Sequence, residues 1–191
     1  MYWMKKWISR LRIHEERLLI WANRRLSHRR VFRFMHNWMN IITHLGGATF
    51  TISFSLLLAI AAKGEIAAIG WKCLSTLAIS HIPVAILKHK FRRLRPYQSL
   101  PDVNIGLKPL EDPSFPSGHT TAIFALVVPI LLNASILPFF VVPLALIVAL
   151  SVAWSRMYLG LHYPSDILAG GIIGTVTAYA VDFFWYSTSG V

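Results

Sequence analysis

The sequence predicts an all-α membrane protein: a polytopic helical bundle of about five transmembrane helices that follows an amphipathic interfacial region. Two observations support this prediction. Of the 191 residues, 55% are hydrophobic and only 14% are charged, whereas soluble domains have about 25% charged residues. Beyond residue 40, five apolar segments alternate with polar stretches and turn residues. We therefore expect lipid to be the main solvent of the chain.

The chain is strongly basic, with 19 Lys and Arg against 8 Asp and Glu and a net charge of +11. Such a balance suits nucleic acid, an anionic membrane surface or an anionic substrate. The apolar segments favour membrane lipids and an anionic substrate, so we expect no nucleic-acid partner.

The single cysteine, Cys73, excludes an internal disulfide, and its apolar surroundings in the sequence predict a small buried residue.

Residues 1–40 form the first predicted unit, a basic amphipathic interfacial segment with ten of the 19 cations. Six arginines between residues 17 and 33 would each cost about 2.5–3.5 kcal/mol near the bilayer centre, or about 15–20 kcal/mol together, which excludes a span. Apolar side chains recur at helical spacing: Trp3, Trp7, Leu11, Leu18, Leu19 and Trp21. We expect an interfacial helix or helix pair; the alternative is a solvated basic tail.

Residues 41–191 form the second unit, the membrane domain. Its predicted spans are Ile41–Ala62, Ile66–Leu87, His119–Leu132, Leu137–Tyr158 and Pro164–Trp185. Gly170, Gly171 and Gly174 in the last span form a small-residue face for close helix packing. The proline-rich segment 96–116 joins spans two and three, and a loop of this length is usually functional. Simple alternation puts this loop and the turn between spans four and five on one side of the bilayer.

The stretch 88–96 follows the second span and is rich in cations. Lys88 and Arg95 are seven residues apart, so on one helix they would share a face, together with Arg92. Pro96 is expected to end that helix. Converging Lys and Arg side chains can bind phosphate, because arginine offers bidentate hydrogen bonds. The alternative is a juxtamembrane cluster that contacts lipid headgroups.

The stretch 116–119, Pro-Ser-Gly-His, lies where the loop enters the third span. Main-chain N–H groups at a helix start attract anions. The Ser117 hydroxyl can donate a hydrogen bond, Gly118 lets a ligand approach the backbone, and His119 would lie over the bound group. The alternative is structural, with Ser117 as an ordinary N-cap and His119 as an incidental first-turn residue.

The stretch 155–166 covers the turn between spans four and five. Arg156 ends span four, and His162 and Asp166 are four residues apart near the start of span five. A carboxylate at this distance can orient an imidazole and stabilise its charged form. Alternatively, Asp166 only stabilises the helix start and His162 is an interfacial residue. The other histidines lack such neighbours, and we expect structural or interfacial roles for them.

Together, these stretches resemble the membrane type 2 phosphatidic acid phosphatase family, whose core is shared with vanadium haloperoxidases. The family pattern is Lys-x6-Arg-Pro, then Pro-Ser-Gly-His, then Ser-Arg-x5-His-x3-Asp. All three parts occur here in order and with the correct spacing, within residues 88–166. Six-span members of the family have an additional N-terminal span, where this chain has its basic segment.

The resemblance implies a role for each matched residue. His162 would be the nucleophile that forms a phosphohistidine, Asp166 would hold its tautomer, and His119 would act as general acid and base. The phosphoryl oxygens would be held by Lys88, Arg95, Arg156, Ser117 and Gly118. No metal and no other cofactor is expected, because three cations take the place of the metal.

The expected function is therefore that of an integral membrane lipid-phosphate phosphatase, whose partners are a lipid phosphate and membrane lipids. Candidate substrates are undecaprenyl pyrophosphate, phosphatidylglycerophosphate and phosphatidic acid. A lipid phosphotransferase would share every motif, and a non-enzymatic lipid-binding or transport protein is a further alternative. The resemblance predicts a multi-pass cell-membrane protein with an extracytoplasmic site, whereas the positive-inside rule favours the cytoplasmic side. The oligomeric state stays open.

Overall fold

The computed structural model describes residues 2–23, 30–105 and 108–189, with side-chain surroundings for residues 11–23, 34–105 and 108–187. All regular secondary structure in this part of the chain is helical. The α-helices are α1 (Tyr2–Asn23), α2 (Arg30–Thr43), α3 (Ala48–Ala61), α4 (Gly64–Phe91), α5 (Pro96–Ser99), α6 (Gly118–Leu132), α7 (Val141–Tyr158) and α8 (Pro164–Ser189). Two short 3₁₀ helices cover His44–Gly46 and Ala134–Ile136.

The helices form the membrane bundle that the composition predicts. Three of them, α4, α7 and α8, are long and apolar enough to cross a bilayer. A fourth span results if the end of α2 and α3 are counted together, although they meet at a bend of 53°. The third predicted span, His119–Leu132, corresponds to α6, which has only 15 residues and a length of about 22 Å at 1.5 Å per residue. The predicted fold class is confirmed, with three or four candidate spans among the described residues.

The first predicted span, Ile41–Ala62, is not one helix. The α2 helix runs past residue 41, and the chain then breaks at His44–Gly47 before α3 begins. Gly46 is buried at this break, where a methyl group would lie 2.5 Å from Val152 Cγ1 and 2.9 Å from the carbonyl oxygen of His119. The break therefore lets the backbone lie directly against α6 and α7. It also means that the predicted boundary at residue 40 falls inside a helix.

A second difference concerns the end of α4. The helix ends at Phe91, and Arg92 adopts a left-handed conformation (φ 44°) as its C-cap. Pro96 begins the short helix α5 instead of ending α4. Lys88 and Arg95 therefore do not share a helix face, and Arg92 is exposed. The expectation of one continuous helix through residue 95 was wrong, because the left-handed turn at Arg92 ends the helix at Phe91, five residues before Pro96.

The close packing of α8 against α6 depends on glycine, as predicted. A methyl group at position 170 would lie 2.6 Å from the Ser117 carbonyl oxygen, and one at position 174 would lie 2.7 Å from that of Thr121. The intervening Gly171 has only ordinary contacts with Phe124, the nearest at 3.7 Å. This packing brings the start of α8 beside the start of α6, where the Ser117 N–H donates to the Asp166 carbonyl oxygen at 3.0 Å.

The interior of the bundle lies between α2, α4, α6 and α7. Its apolar cluster contains Ile42, Ile69, Cys73, Ile123, Leu126, Val127, Ala149 and Val152. Cys73 is buried, as predicted, and its thiol lies 3.3 Å from the Leu126 carbonyl oxygen. This core holds the ends of the helices that carry the three motifs at fixed positions.

The end of α1 is attached to the bundle by buried polar contacts. Asn23 is fully buried. Its amide donates to the carbonyl oxygens of Tyr158 at 2.9 Å and of Asn104 at 2.8 Å, and its oxygen accepts from the Asn104 N–H at 2.8 Å. One side chain thus joins α1 to the end of α7 and to the loop after α5.

The interfacial position of residues 1–40 stays a prediction. On α1, Trp21 is half exposed and Leu19 is fully buried, so this helix has an outer and an inner face. Of the ten N-terminal cations, Arg12 and Arg17 have described side chains. The side chains of Trp3, Trp7 and the remaining eight cations lie outside the described residues: Lys5, Lys6, Arg10, Arg24, Arg25, Arg29, Arg30 and Arg33.

Candidate active site

The first and third motifs meet at one buried contact. Arg95 and His162 are each 1% exposed, and Arg95 NH1 lies 3.2 Å from His162 Nε2 across 67 residues of sequence. The same nitrogen of Arg95 donates to the Leu161 carbonyl oxygen at 3.0 Å. Because a guanidinium can only donate, Nε2 accepts this bond and the neutral imidazole carries its proton on Nδ1. His162 therefore has its Nε2 lone pair on the side where the cations lie.

Lys88 and Arg95 converge even though they do not share a helix face. Both contact Asp112 in the loop before α6: Lys88 Nζ pairs with Oδ2, and Arg95 NH2 donates to Oδ1 at 2.8 Å. Arg95 Nε also donates to the main-chain oxygen of Asp112 at 2.9 Å. The two predicted phosphate-binding cations of the first motif are therefore adjacent, and they hold a carboxylate between them.

Arg156 contributes a third cation from the last turn of α7. It is 1% exposed, and its NH1 donates to Thr43 Oγ1 at the end of α2 at 2.8 Å. Its Nε has no hydrogen-bond partner in the described part of the chain. A buried guanidinium N–H without a partner is costly, so this group is available for an anion that enters the site.

The second motif combines the two interpretations that the sequence left open. Ser117 is the N-cap of α6, because its Oγ accepts from the Thr120 N–H at 3.4 Å and from the Thr120 hydroxyl at 2.9 Å. Its own hydroxyl proton can still be donated. Beside Gly118, no atom lies within 4 Å of the position that a methyl group would take. The helix start is therefore capped and also faces open space.

His119 follows on the first turn of α6 and is partly buried. It packs against the break between α2 and α3, where a methyl group at Gly47 would lie 3.9 Å from its Nε2. It interacts electrostatically with Arg156, His162 and His44. The two predicted catalytic histidines are thus brought to one site, and His44, for which we expected only a structural or interfacial role, lies near it.

Asp166 is held by several donors behind His162. It is fully buried and accepts hydrogen bonds from the Tyr163 N–H at 2.8 Å, from the Ser114 hydroxyl, and from Arg93 NH1 at 2.9 Å. His162 Nδ1 lies 3.6 Å from Asp166 Oδ2. The pair is therefore adjacent but not hydrogen-bonded in this structure, and Nδ1 has no other partner among the described residues.

The surroundings of His162 keep its imidazole neutral. Burial, together with the charges of Arg156 and Arg95, lowers the pKa of His162 from 6.5 to about 4, although the nearby Asp166 opposes this shift. A neutral imidazole is the form that can act as a nucleophile. The electrostatics of the site thus agree with the tautomer that the Arg95 contact requires.

Four residues of the site were not found from the sequence: Asp112, Ser114, Arg93 and Glu15. Arg93 connects three elements, since it donates to Asp166 and to Ser165 Oγ at 2.7 Å and pairs with Glu15 of α1 at 2.5 Å. No local spacing links these positions. The only sequence signal was the small number of acidic residues. With 8 among 191 residues, few carboxylates are present to neutralise the buried cations.

Known proteins resemble this chain in sequence and in fold. Residues 69–188 match the profile of the PAP2 superfamily. The chain is 34% identical over 105 residues to "Undecaprenyl-diphosphatase" of Sulfolobus acidocaldarius. This match covers 52% of the present chain and 49% of that protein. It is also 31% identical over 104 residues to "Decaprenylphosphoryl-5-phosphoribose phosphatase" of Mycobacterium tuberculosis. This match covers 54% of each of the two chains. The chain thus spans about half the length of these curated relatives.

The fold is that of a solved membrane phosphatase. The crystal structure of a transmembrane PAP2 type phosphatidylglycerolphosphate phosphatase from Bacillus subtilis superimposes with a TM-score of 0.74. The superposition covers 93% of this chain and 87% of that one, at 23% sequence identity. The profile match covers more than half of the residues and includes all three motifs. On this basis, the chain belongs to the PAP2 superfamily.

Proposed function

We propose that this protein is a membrane lipid-phosphate phosphatase. It hydrolyses a phosphomonoester or pyrophosphate of a lipid through a phosphohistidine intermediate on His162. The observation that carries this proposal is the buried contact of Arg95 with His162 Nε2. It joins a predicted phosphate-binding cation to a predicted nucleophile, in the tautomer that nucleophilic attack needs.

In the first step, Arg95 NH1 transfers its hydrogen bond from His162 Nε2 to a phosphoryl oxygen. The freed Nε2 lone pair attacks phosphorus while the bond from phosphorus to the leaving oxygen breaks. His119 donates a proton to that oxygen, so the lipid leaves as an alcohol or as a lipid monophosphate. His162 becomes cationic as the new N–P bond forms. The Asp166 carboxylate behind Nδ1 stabilises that charge, which requires the 3.6 Å separation to shorten; catalytic hydrogen bonds are often long in ligand-free structures.

In the second step, water replaces the lipid beside the phosphohistidine. His119, now neutral, takes a proton from the water as its oxygen attacks phosphorus. The N–P bond breaks, inorganic phosphate is released, and His162 returns to its neutral form. Throughout, the charge on the equatorial oxygens is stabilised by Lys88, Arg95 and Arg156, by the Ser117 hydroxyl and by the main-chain N–H of Gly118.

The relatives support a polyprenyl phosphate as the substrate class. Two of them carry names that refer to undecaprenyl diphosphate and to a decaprenylphosphoryl sugar phosphate. Both are phosphate esters of long isoprenoid alcohols, and each ends in a phosphate group, one as a diphosphate and the other on a sugar. We propose substrates of this class for the present chain, with phosphatidylglycerophosphate and phosphatidic acid as the other lipids to be compared.

The deciding experiment is a phosphate-release panel with the purified protein in detergent and these lipids as substrates. His162→Ala is expected to abolish release, and His89→Ala, which removes an exposed histidine near the site, is expected to keep it. EDTA should leave the rate unchanged, and orthovanadate should inhibit. Residual activity of a tenth or more in His162→Ala contradicts the phosphohistidine, and a phosphorylated acceptor in place of free phosphate identifies a phosphotransferase.

A further inference from the structure

The cations of the first motif already hold an anion in this structure. The Asp112 carboxylate uses both of its oxygens, one on Lys88 Nζ and one on Arg95 NH2 at 2.8 Å. Burial raises the pKa of Asp112, but Lys88 and Arg95 outweigh it and hold the pKa below its usual range. The side chain is therefore a carboxylate in the place where two predicted phosphate-binding groups converge.

The loop that carries Asp112 is also anchored without the carboxylate. Arg95 Nε donates to the main-chain oxygen of Asp112 at 2.9 Å, and Lys88 Nζ donates to that of Pro113 at 3.0 Å. The Asp112 side chain is 52% exposed. It can therefore turn toward water while the main-chain contacts hold the loop and both cations in place.

The rest of the site is open to a ligand. The buried Arg156 Nε has no hydrogen-bond partner among the described residues, and open space lies beside Gly118. On one side of the site, Arg156 Nε is an unused donor. On the other side, the donors of Lys88 and Arg95 are occupied by the Asp112 carboxylate. A phosphoryl group that uses all of them has to take the place of Asp112.

We infer that the Asp112 carboxylate occupies the phosphate-binding cations when no substrate is bound. The phosphoryl group displaces Asp112 when it enters, and Asp112 then competes with the phosphate product for the same cations. This inference rests on the proposed function, because that function makes Lys88 and Arg95 phosphate ligands. Competition by a tethered carboxylate lowers the affinity of the cations for every anion. It therefore weakens inhibition by inorganic phosphate, which two buried arginines and a partly buried lysine would otherwise retain.

The test compares Asp112→Asn with wild type and with Glu111→Gln, which removes one negative charge from the exposed neighbouring residue. Both variants keep the main-chain acceptors of the loop. Binding of inorganic phosphate is measured by calorimetry in detergent, and its inhibition constant is measured in the release assay. Because charged hydrogen bonds contribute about 1.5–3 kcal/mol, phosphate should bind about tenfold or more tightly to Asp112→Asn, and Glu111→Gln should match wild type.

Equal or weaker phosphate binding by Asp112→Asn overturns the inference, since Asp112 would then position the cations instead of competing for them. The same gain in Glu111→Gln also overturns it, because the effect would come from the charge of the loop as a whole. Asp112→Ala provides a second variant if the asparagine variant does not fold. Wild-type protein that binds phosphate but releases none from any lipid contradicts the proposed function alone.

Discussion

His162 Nδ1 stands 3.6 Å from Asp166 Oδ2, an oxygen that already accepts hydrogen bonds from the Tyr163 N–H and the Ser114 hydroxyl. The carboxylate is thus fixed from other directions before the imidazole reaches it. Its second oxygen accepts from Arg93 NH1 at 2.9 Å. The orientation of the proposed nucleophile therefore depends on Ser114 and Arg93, which are not among the predicted site residues.

The first prediction concerns Arg93. Arg93→Gln removes the charged donor to Asp166, so the carboxylate is held less firmly and stabilises the cationic His162 less well. A charged hydrogen bond of about 1.5–3 kcal/mol corresponds to a loss of about tenfold to a hundredfold in kcat, with little change in KM. Arg93→Lys should recover part of the lost kcat, because it keeps the positive charge. The matched control is Arg92→Gln, whose side chain is exposed; an equal loss there contradicts a specific role for Arg93.

A second prediction concerns the start of α6. Gly118→Ala adds a methyl group where the protein leaves open space, so the variant should fold as well as wild type. The methyl group would occupy the space that the phosphoryl group needs, and the affinity for orthovanadate should fall about tenfold or more, the effect of about 1.4 kcal/mol. Gly171→Ala, with ordinary contacts to Phe124, is the control. Unchanged vanadate inhibition in Gly118→Ala places the phosphate elsewhere.

A third prediction tests the packing of α8 on α6. In Gly174→Leu the new side chain meets the Thr121 carbonyl oxygen, since even its Cβ would lie 2.7 Å away. Overpacking of this kind costs about 1–3 kcal/mol or more, so the midpoint of thermal inactivation should fall by several degrees. The comparison is again Gly171→Ala. A Gly174→Leu protein with wild-type stability and activity is incompatible with this contact.

The fourth prediction concerns the side of the membrane that carries the site. The resemblance to the family predicts a site outside the cell, whereas the ten cations in residues 1–40 favour a cytoplasmic position under the positive-inside rule. In a Cys73→Ala background, a cysteine in place of the exposed Asn104 should react with an impermeant thiol reagent added to intact cells. One in place of Ser189 should not react, and the reverse labelling pattern shows a cytoplasmic site.

Local sequence patterns determined much of this protein. Long apolar stretches require helices in a membrane, because lipid offers no partners for backbone polar groups, and this alone predicts the fold class. The spacing of Gly170 and Gly174 predicted the close face of α8 because one helix carries both. The alternation of the spans likewise predicted that the loop and the turn that carry the three motifs lie at one end of the bundle. Each of these inferences needs only the composition of single segments and their order along the chain.

The tertiary structure decided what depends on residues far apart. At the break at His44–Gly47, α6 and α7 lie directly against Gly46. The glycines there permit a close approach, but only the fold shows which helices make it. Arg93 meets Asp166 across 73 residues of sequence, and Asn23 meets Tyr158 across 135. Asp112 became the counter-ion of Lys88 and Arg95 only because the loop folds back onto the end of α4. The three motifs predicted which groups react, whereas the groups that hold, orient and neutralise them depend on three-dimensional proximity.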